Sequence, residues 1–251
     1  MRLFTFGCSF TRYHRWPTWA DILGRQFDHY ENWGKEGSGN TYILNTIIEA
    51  NQRNQFTEDD KIYVMWSGTS REDRYVKDKW LGLGNIYWFA GNPVPKDYIL
   101  RFACERGYII RDLANITAAK KLLDGIGCEY HFMSMVPLDK TSHDNDLGEN
   151  ENDNYLDDNS DVYELYKDTL ASIEPSIYET IYGSDWCRDN GIFDEGNDRP
   201  DLHPTPREHL MYMDYLFPNL ISDENSEWAL RWEEDARKGE HWTPKQDPDR
   251  L

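Results

Sequence analysis

Residues 3–6, Leu-Phe-Thr-Phe, form a short apolar run that stops abruptly at Gly7-Cys8-Ser9. A buried strand that ends in small residues can present a serine hydroxyl at the rim of a parallel sheet. That hydroxyl is a weak nucleophile until a base removes its proton. Near the other end of the chain, Asp201-Leu202-His203-Pro204 places an acid and a base in one tight loop. An imidazole can take the serine proton, and a carboxylate can fix the ring tautomer and orientation. Ser9, His203 and Asp201 are therefore the candidate catalytic residues of a serine hydrolase whose triad is split across the chain. His209, on the helix predicted after His203, reads as structural.

Such a triad needs a scaffold that brings both ends together. The first half of the chain alternates strand and helix signals. Strands are expected at 3–6, 29–33, 61–66 and 129–136. Pro17 suits the first turn of a helix over 18–27, where Trp19, Ile22, Leu23 and Phe27 recur at helical spacing. A glycine-rich turn, 34–40, leads to a helix with Ile43, Leu44, Ile47 and Ile48 as its apolar stripe. Further helices are expected near 97–106, 110–125, 161–172, 206–216 and 223–238, with 74–95 irregular. Strand–helix alternation predicts an α/β fold with a parallel sheet covered on both faces. The strand ends then share one edge, where sites form. Residues 1–220 are expected to be one domain with an acidic insertion at about 141–160, and 221–251 a helical and extended tail packed on it or on a partner subunit.

Four blocks in this order resemble the SGNH (GDSL-like) hydrolases: Gly7-Cys8-Ser9, Asn32-Trp33-Gly34-Lys35-Glu36-Gly37, Trp66-Ser67-Gly68-Thr69-Ser70 and Asp201-Leu202-His203-Pro204. Within that superfamily the chain is similar to the divergent branch encoded by tailed bacteriophages. The likeness lies in the Gly-Cys-Ser-Phe-Thr start, the Gly-Ser-Gly-Asn turn, the Arg71-Glu72 pair and the late His-Pro. The resemblance implies a flavodoxin-like three-layer α/β/α fold and cofactor-free hydrolysis of esters, often acetyl groups on glycans. Ser9 would be the nucleophile, His203 the general base and Asp201 its orienting acid. The backbone N–H groups of Ser9 and Gly37 would be two oxyanion donors. The runner-up is a non-catalytic phage structural or glycan-binding protein that keeps the fold.

Two departures from the pattern stand out. The third block of the family ends in an asparagine that supplies a third oxyanion donor. Here Ser70, or Thr69 with a one-residue shift, takes that position. Asn40 or Arg71 could substitute for that donor as a substrate-binding group, and Arg71 at a strand end could instead bind a substrate carboxylate or sulfate. The second departure is Asp-x-His in place of Asp-x-x-His. The usual offset falls on Pro200, which makes Asp201 the acid and Asp198 the reserve.

The chain has 251 residues and a net charge of −19, without any basic block. Such a surface repels phosphates, so nucleic acid is not an expected partner. A carbohydrate or small ester substrate is expected, with a virion or a homo-oligomer as possible assemblies. The 10 Trp, 16 Tyr and 10 Phe read as core or as sugar-stacking surface. Cys8, Cys104, Cys128 and Cys187 lack metal or redox spacing, which fits a reducing compartment. The start is too short and too basic to read as a signal peptide. Nothing approaches a membrane span of ~20 apolar residues. A cytoplasmic protein of the host cell is expected, with a phage particle as its route outside. Asp144, Asp146 and Glu149 offer oxygen ligands but miss the register of a calcium loop, so no metal is expected. Arg71, Glu72, Asp73 and Arg74 read as a solvated, salt-bridged turn.

Overall fold

A computed structural model describes residues 1–87, 94–139, 159–182, 201 and 203–243. Most of the acidic insertion, Asp198, Cys187 and the last residues of the tail lie outside this set. The order of elements is β1 (Arg2–Gly7), α1 (Trp19–Gly24), β2 (His29–Asn32), α2 (Asn40–Asn54), β3 (Lys61–Trp66), β4 (Arg71–Tyr75) and β5 (Trp80–Asn85). There follow α3 (Lys96–Phe102), α4 (Glu105–Ile126), β6 (Glu129–Ser134), α5 (Ser160–Leu165), α6 (Lys167–Leu170), α7 (Pro206–Leu216) and α8 (Asp223–Arg237).

Four strands pair in the order β2-β1-β3-β6, all parallel. Side chains alternate across this sheet with the period of a strand. Phe4, Phe6, Ile62, Val64, Trp66 and Phe132 pack on one face with Tyr42, Ile43 and Ile47 of α2 and Ile109, Leu113 and Ile116 of α4. Leu3, Tyr63, Met65 and Met133 face the other way, onto Trp19 and Leu23 of α1 and Tyr212 and Met213 of α7. The result is the α/β three-layer arrangement expected from the alternation of elements. Trp16, Trp19, Trp33 and Trp66 are fully buried, so these tryptophans belong to the interior and not to a sugar platform.

Two local expectations need correction. Part of 74–95 is not irregular: β4 and β5 form an antiparallel hairpin. Its turn places Lys77 and Asp78 at φ 50° and 61°. Those residues carry none of the Asn-Gly or Asp-Gly chemistry that usually marks such a turn. The second correction is to 71–74, which is strand and not solvated turn. Glu72 and Asp73 are buried there, and each has named partners. Tyr108 donates to Glu72 at 2.8 Å. Asp73 accepts from the backbone N–H groups of Gly39 at 2.7 Å and Tyr42 at 2.9 Å. It thus satisfies two donors at the start of α2 that have no partner within the helix.

Candidate active site

Because the sheet is parallel, one edge receives the segments that follow β1, β2, β3 and β6. Gly7 sets the first of them. A Cβ there would meet Thr11 and stand 2.9 Å from the Met65 carbonyl oxygen, so only glycine fits. The chain then turns back on itself: Thr11 and Arg12 donate to the Cys8 carbonyl at 3.0 and 3.1 Å. Asn32, at the end of β2, clasps the turn through Nδ2 to the Thr11 carbonyl at 2.9 Å. Ser9 sits inside this turn and is buried. Among the described residues, the backbone N–H groups of Ser9 and Gly37 have no hydrogen-bond partner.

His203 lies over the same turn. Its ring is 5.6 Å from that of Phe10, the neighbour of Ser9. Tyr13 stacks on its other surroundings with centroids 4.0 Å apart. Nδ1 of His203 is 2.7 Å from Asp201 Oδ1, and the His203 backbone N–H donates to the same oxygen at 2.9 Å. A neutral imidazole that donates from Nδ1 to this carboxylate carries its lone pair on Nε2. Ser9 and His203 form no hydrogen bond with each other among the described residues. Such contacts are often long until substrate arrives.

The other oxygen of Asp201 accepts from the Tyr13 hydroxyl and from Arg15 Nη1, the latter at 2.9 Å. Trp16 Nε1 donates to the Pro204 carbonyl at 2.9 Å. The segment after Ser9 thus grips the His203 loop at three points. Burial works to raise the Asp201 pKa, but the hydrogen bonds from His203 and Tyr13 outweigh it and hold the carboxyl well below its usual range. Burial and the Asp201 contact push the Tyr13 hydroxyl far up, so it stays a donor. Tyr13 and Arg15 were not legible as site residues. Their only signal is alternate placement just after the serine.

His209 is buried on α7, with Nδ1 unpartnered. Burial pushes its pKa down to about 3, so it is neutral.

The remaining expected residues divide sharply. Gly37, at φ 72°, lies in the turn after β2. Ser70 is buried, with its carbonyl accepting from Ile86 at 3.0 Å, and Thr69 is half-buried. The Asn40 side chain is fully buried, and its hydrogen-bonding groups are engaged within the protein. Its Nδ2 donates to the Ser67 carbonyl at 2.9 Å and to Asp112 at 3.0 Å, while its Oδ1 accepts from the Ser67 N–H at 2.9 Å. It is a brace between α2, α4 and the turn after β3. Arg71 instead reaches along the edge. Its Nη1 donates to the Ser38 carbonyl at 3.0 Å, and its Nη2 is 3.4 Å from Met135 Sδ. Met135 is itself 3.8 Å from Cys8 Sγ.

Beyond Met135, a cavity of about 390 Å³ opens at the end of β6. Ser134, Leu138, Ile173, Glu174, Ser176 and Glu179 are among its lining residues. Among the described residues no cluster of His, Cys, Asp and Glu fits a metal ion. Cys8, Cys104 and Cys128 are free thiols. No described helix is long and apolar enough to cross a membrane.

No family model matches the chain, and no curated protein matches it. Solved structures do resemble it in outline. TesA superposes with a TM-score of 0.46 at 14% identity, covering 87% of this chain and 99% of TesA. A member of the lipolytic protein G-D-S-L family from Veillonella parvula DSM 2008 gives 0.42 at 16% identity, over 86% of this chain and 97% of the other. The psychrotrophic esterase EstA from Pseudoalteromonas sp., in a structure inhibited by monoethylphosphonate, gives 0.41 at 12% identity, over 90% and 97%. Likeness at this level does not say which residues react.

Proposed function

We propose that the protein is a serine ester hydrolase. One observation carries this reading: the Asp201–His203 pair is docked on the turn that holds Ser9. In the proposed cycle Ser9 Oγ attacks the acyl carbonyl, and its proton passes to His203 Nε2. The electron pair displaced from the carbonyl rests on oxygen, facing the N–H groups of Ser9 and Gly37. Collapse of this intermediate breaks the ester C–O bond, and the leaving alcohol takes the proton from Nε2. Water, giving a proton to His203 Nε2, then attacks the acyl-Ser9 carbonyl; the Oγ–acyl bond breaks, Ser9 Oγ takes that proton back, and the carboxylic acid leaves. Asp201 holds the imidazole in the needed tautomer throughout.

The substrate we infer is a carbohydrate ester, with acetyl as the acyl group. The cavity at the end of β6 is the place we assign to the sugar. It has the size of a small-ligand site. Its glutamates and serines can exchange hydrogen bonds with sugar hydroxyls, and Leu138 and Ile173 can face a ring. A phage origin and packaging in a virion belong to the same proposal, on the motifs alone.

The test is covalent labelling. A fluorophosphonate should modify Ser9, and Ser9→Ala should abolish it. Wild-type protein should also release acetate from an acetylated glycan. Labelling that persists in Ser9→Ala would mean that another nucleophile is at work. Absence of both labelling and turnover, with the fold intact, would favour the glycan-binding alternative.

A further inference from the structure

Arg71 is held at both ends. Arg111 Nη2 donates to its backbone carbonyl at 2.8 Å, and its own guanidinium is anchored on the Ser38 carbonyl at 3.0 Å. Ser38 follows Gly37, and Met135, which the guanidinium also touches, packs on Cys8, the residue before Ser9. The cation therefore contacts the immediate surroundings of both residues whose N–H groups stand unpartnered. Its pairing also differs from that of its neighbours. Arg15 is paired with Asp201, Arg74 with Glu72, and Arg111 with Glu72 and Asp112. Arg71 makes no salt bridge among the described residues, and the nearby carboxylate that feels its charge, Asp73, is held by the N–H groups of Gly39 and Tyr42. A guanidinium carries five donors and is always charged. Here one donor is spent on a carbonyl and another meets a thioether.

We propose that Arg71 is the third oxyanion donor, filling the role for which the resembled family uses an asparagine. The proposal rests on the ester-hydrolase reading. Of the other groups weighed for this role, Asn40 is spent on Ser67 and Asp112. As the Ser9 Oγ–carbon bond forms, the carbonyl π pair moves onto oxygen. A guanidinium N–H meets that charge without giving up its proton, because arginine stays protonated. A fixed cation in a site that excludes water stabilises such charge more strongly than it would in bulk water. It also offsets, at the point of reaction, the field of a chain with net charge −19.

The experiment compares wild type, Arg71→Met, Arg71→Gln, Arg71→Lys and, as a control on α4 away from the site, Gly125→Ala, where a Cβ meets nothing within 4 Å. Each is scored by the rate of Ser9 labelling with a fluorophosphonate and by kcat and KM on a neutral acetyl ester. Attack on the probe expels fluoride and also loads charge on an oxygen, so it reports the donor without turnover. Arg71→Met and Arg71→Gln should slow labelling and kcat about a hundredfold or more, the effect of losing one donor. KM should change little, and melting temperature should stay near wild type. Arg71→Lys should fall between, and added guanidinium should restore part of the Arg71→Met rate. Gly125→Ala should label normally. Labelling of Arg71→Met at the wild-type rate would overturn the proposal. So would an effect confined to KM for acidic esters, which would assign Arg71 to a substrate anion. If Arg71→Met fails to fold, the Arg71→Gln and Arg71→Lys rates decide. Wild type that does not label at all removes the hydrolase reading, and this proposal with it.

Discussion

Tyr13 lies almost parallel to His203, with ring centroids 4.0 Å apart and planes 17° apart. The same tyrosine donates its hydroxyl to Asp201, so one side chain touches both members of the proposed acid–base pair. These two roles can be separated. Tyr13→Phe keeps the stack and removes the hydroxyl, which leaves Asp201 more available to His203. Tyr13→Ala removes both. An aromatic pair is worth about 0.5–1.5 kcal/mol beyond its burial. Tyr13→Ala should therefore lower kcat by up to about tenfold relative to Tyr13→Phe. Acetyl ester kinetics on both variants check this. Equal rates would mean that the stack does not position the base.

Asp201 gives a prediction with a defined sign. Its folded pKa lies below the ordinary aspartate value of about 3.9. Its contribution to stability is thus complete above that value and is lost only as pH falls through the lower folded pKa. Asp201→Asn should be less stable than wild type at pH 7 and at pH 5. The gap should close only in strong acid. Urea midpoints across that range measure it. A gap that closes already at pH 5 would contradict the clamp by Tyr13, Arg15 and His203.

Gly82 of β5 lies against the turn that holds Gly37. A Cβ on Gly82 would stand 2.6 Å from the Gly37 carbonyl carbon, 2.7 Å from the Ser38 nitrogen and 2.8 Å from the Glu36 oxygen. All three are backbone atoms, so hairpin or turn must shift. Displacements of about 1 Å can cost about a hundredfold in rate. Gly82→Ala should cut ester turnover by at least about tenfold. Gly125→Ala, where a Cβ meets nothing within 4 Å, should leave turnover unchanged.

Asn40 and Asp112 should report on stability and its pH dependence. Asn40→Ala strands the Ser67 N–H and carbonyl in the interior, each costing about 1–3 kcal/mol. Denaturant unfolding should show a loss of several kcal/mol. Asp112 is fully buried, and burial pushes its pKa up to about 6 against the opposing bonds from Arg111 and Asn40. A raised folded pKa means stability that is complete below about pH 3.9 and is lost as pH rises through 6. Wild type should therefore lose stability between pH 4 and pH 7 more steeply than Asp112→Asn. Parallel slopes in the two proteins would show that Asp112 is ionised throughout.

The layered sheet was legible because its signals are local: apolar runs of strand length, helical spacing at Ile43 to Ile48, and glycines at strand ends. Ser9 and the Asp201–His203 loop stand out in the sequence for the same reason, as compact local motifs. The clamp on Asp201 was not. Tyr13 and Arg15 find their partner 188 and 186 residues away, and no local pattern encodes such a meeting. The bracing bonds of Asn40 were not legible, because an asparagine at a helix start reads the same whether it faces solvent or a neighbouring backbone. Glu72 and Asp73 looked solvated because charge suggests a surface, whereas here Tyr108 and the start of α2 supply the compensating donors. β5 was missed because Gly82 and Gly84 argue against a strand. That strand needs a glycine at Gly82, since it packs backbone to backbone.

Trp16 meets Pro204 across 188 residues, as Tyr13 meets Asp201. Joining segments so far apart requires closing a very large loop, an entropic cost that nearby contacts avoid. Pairings of this kind form late in folding. On the ribosome Ser9 is made well before Asp201 and His203, the groups proposed to act with it. A half-made polypeptide carries its serine without the means to use it. Ester turnover in a cell extract would accordingly count finished, folded chains and ignore fragments.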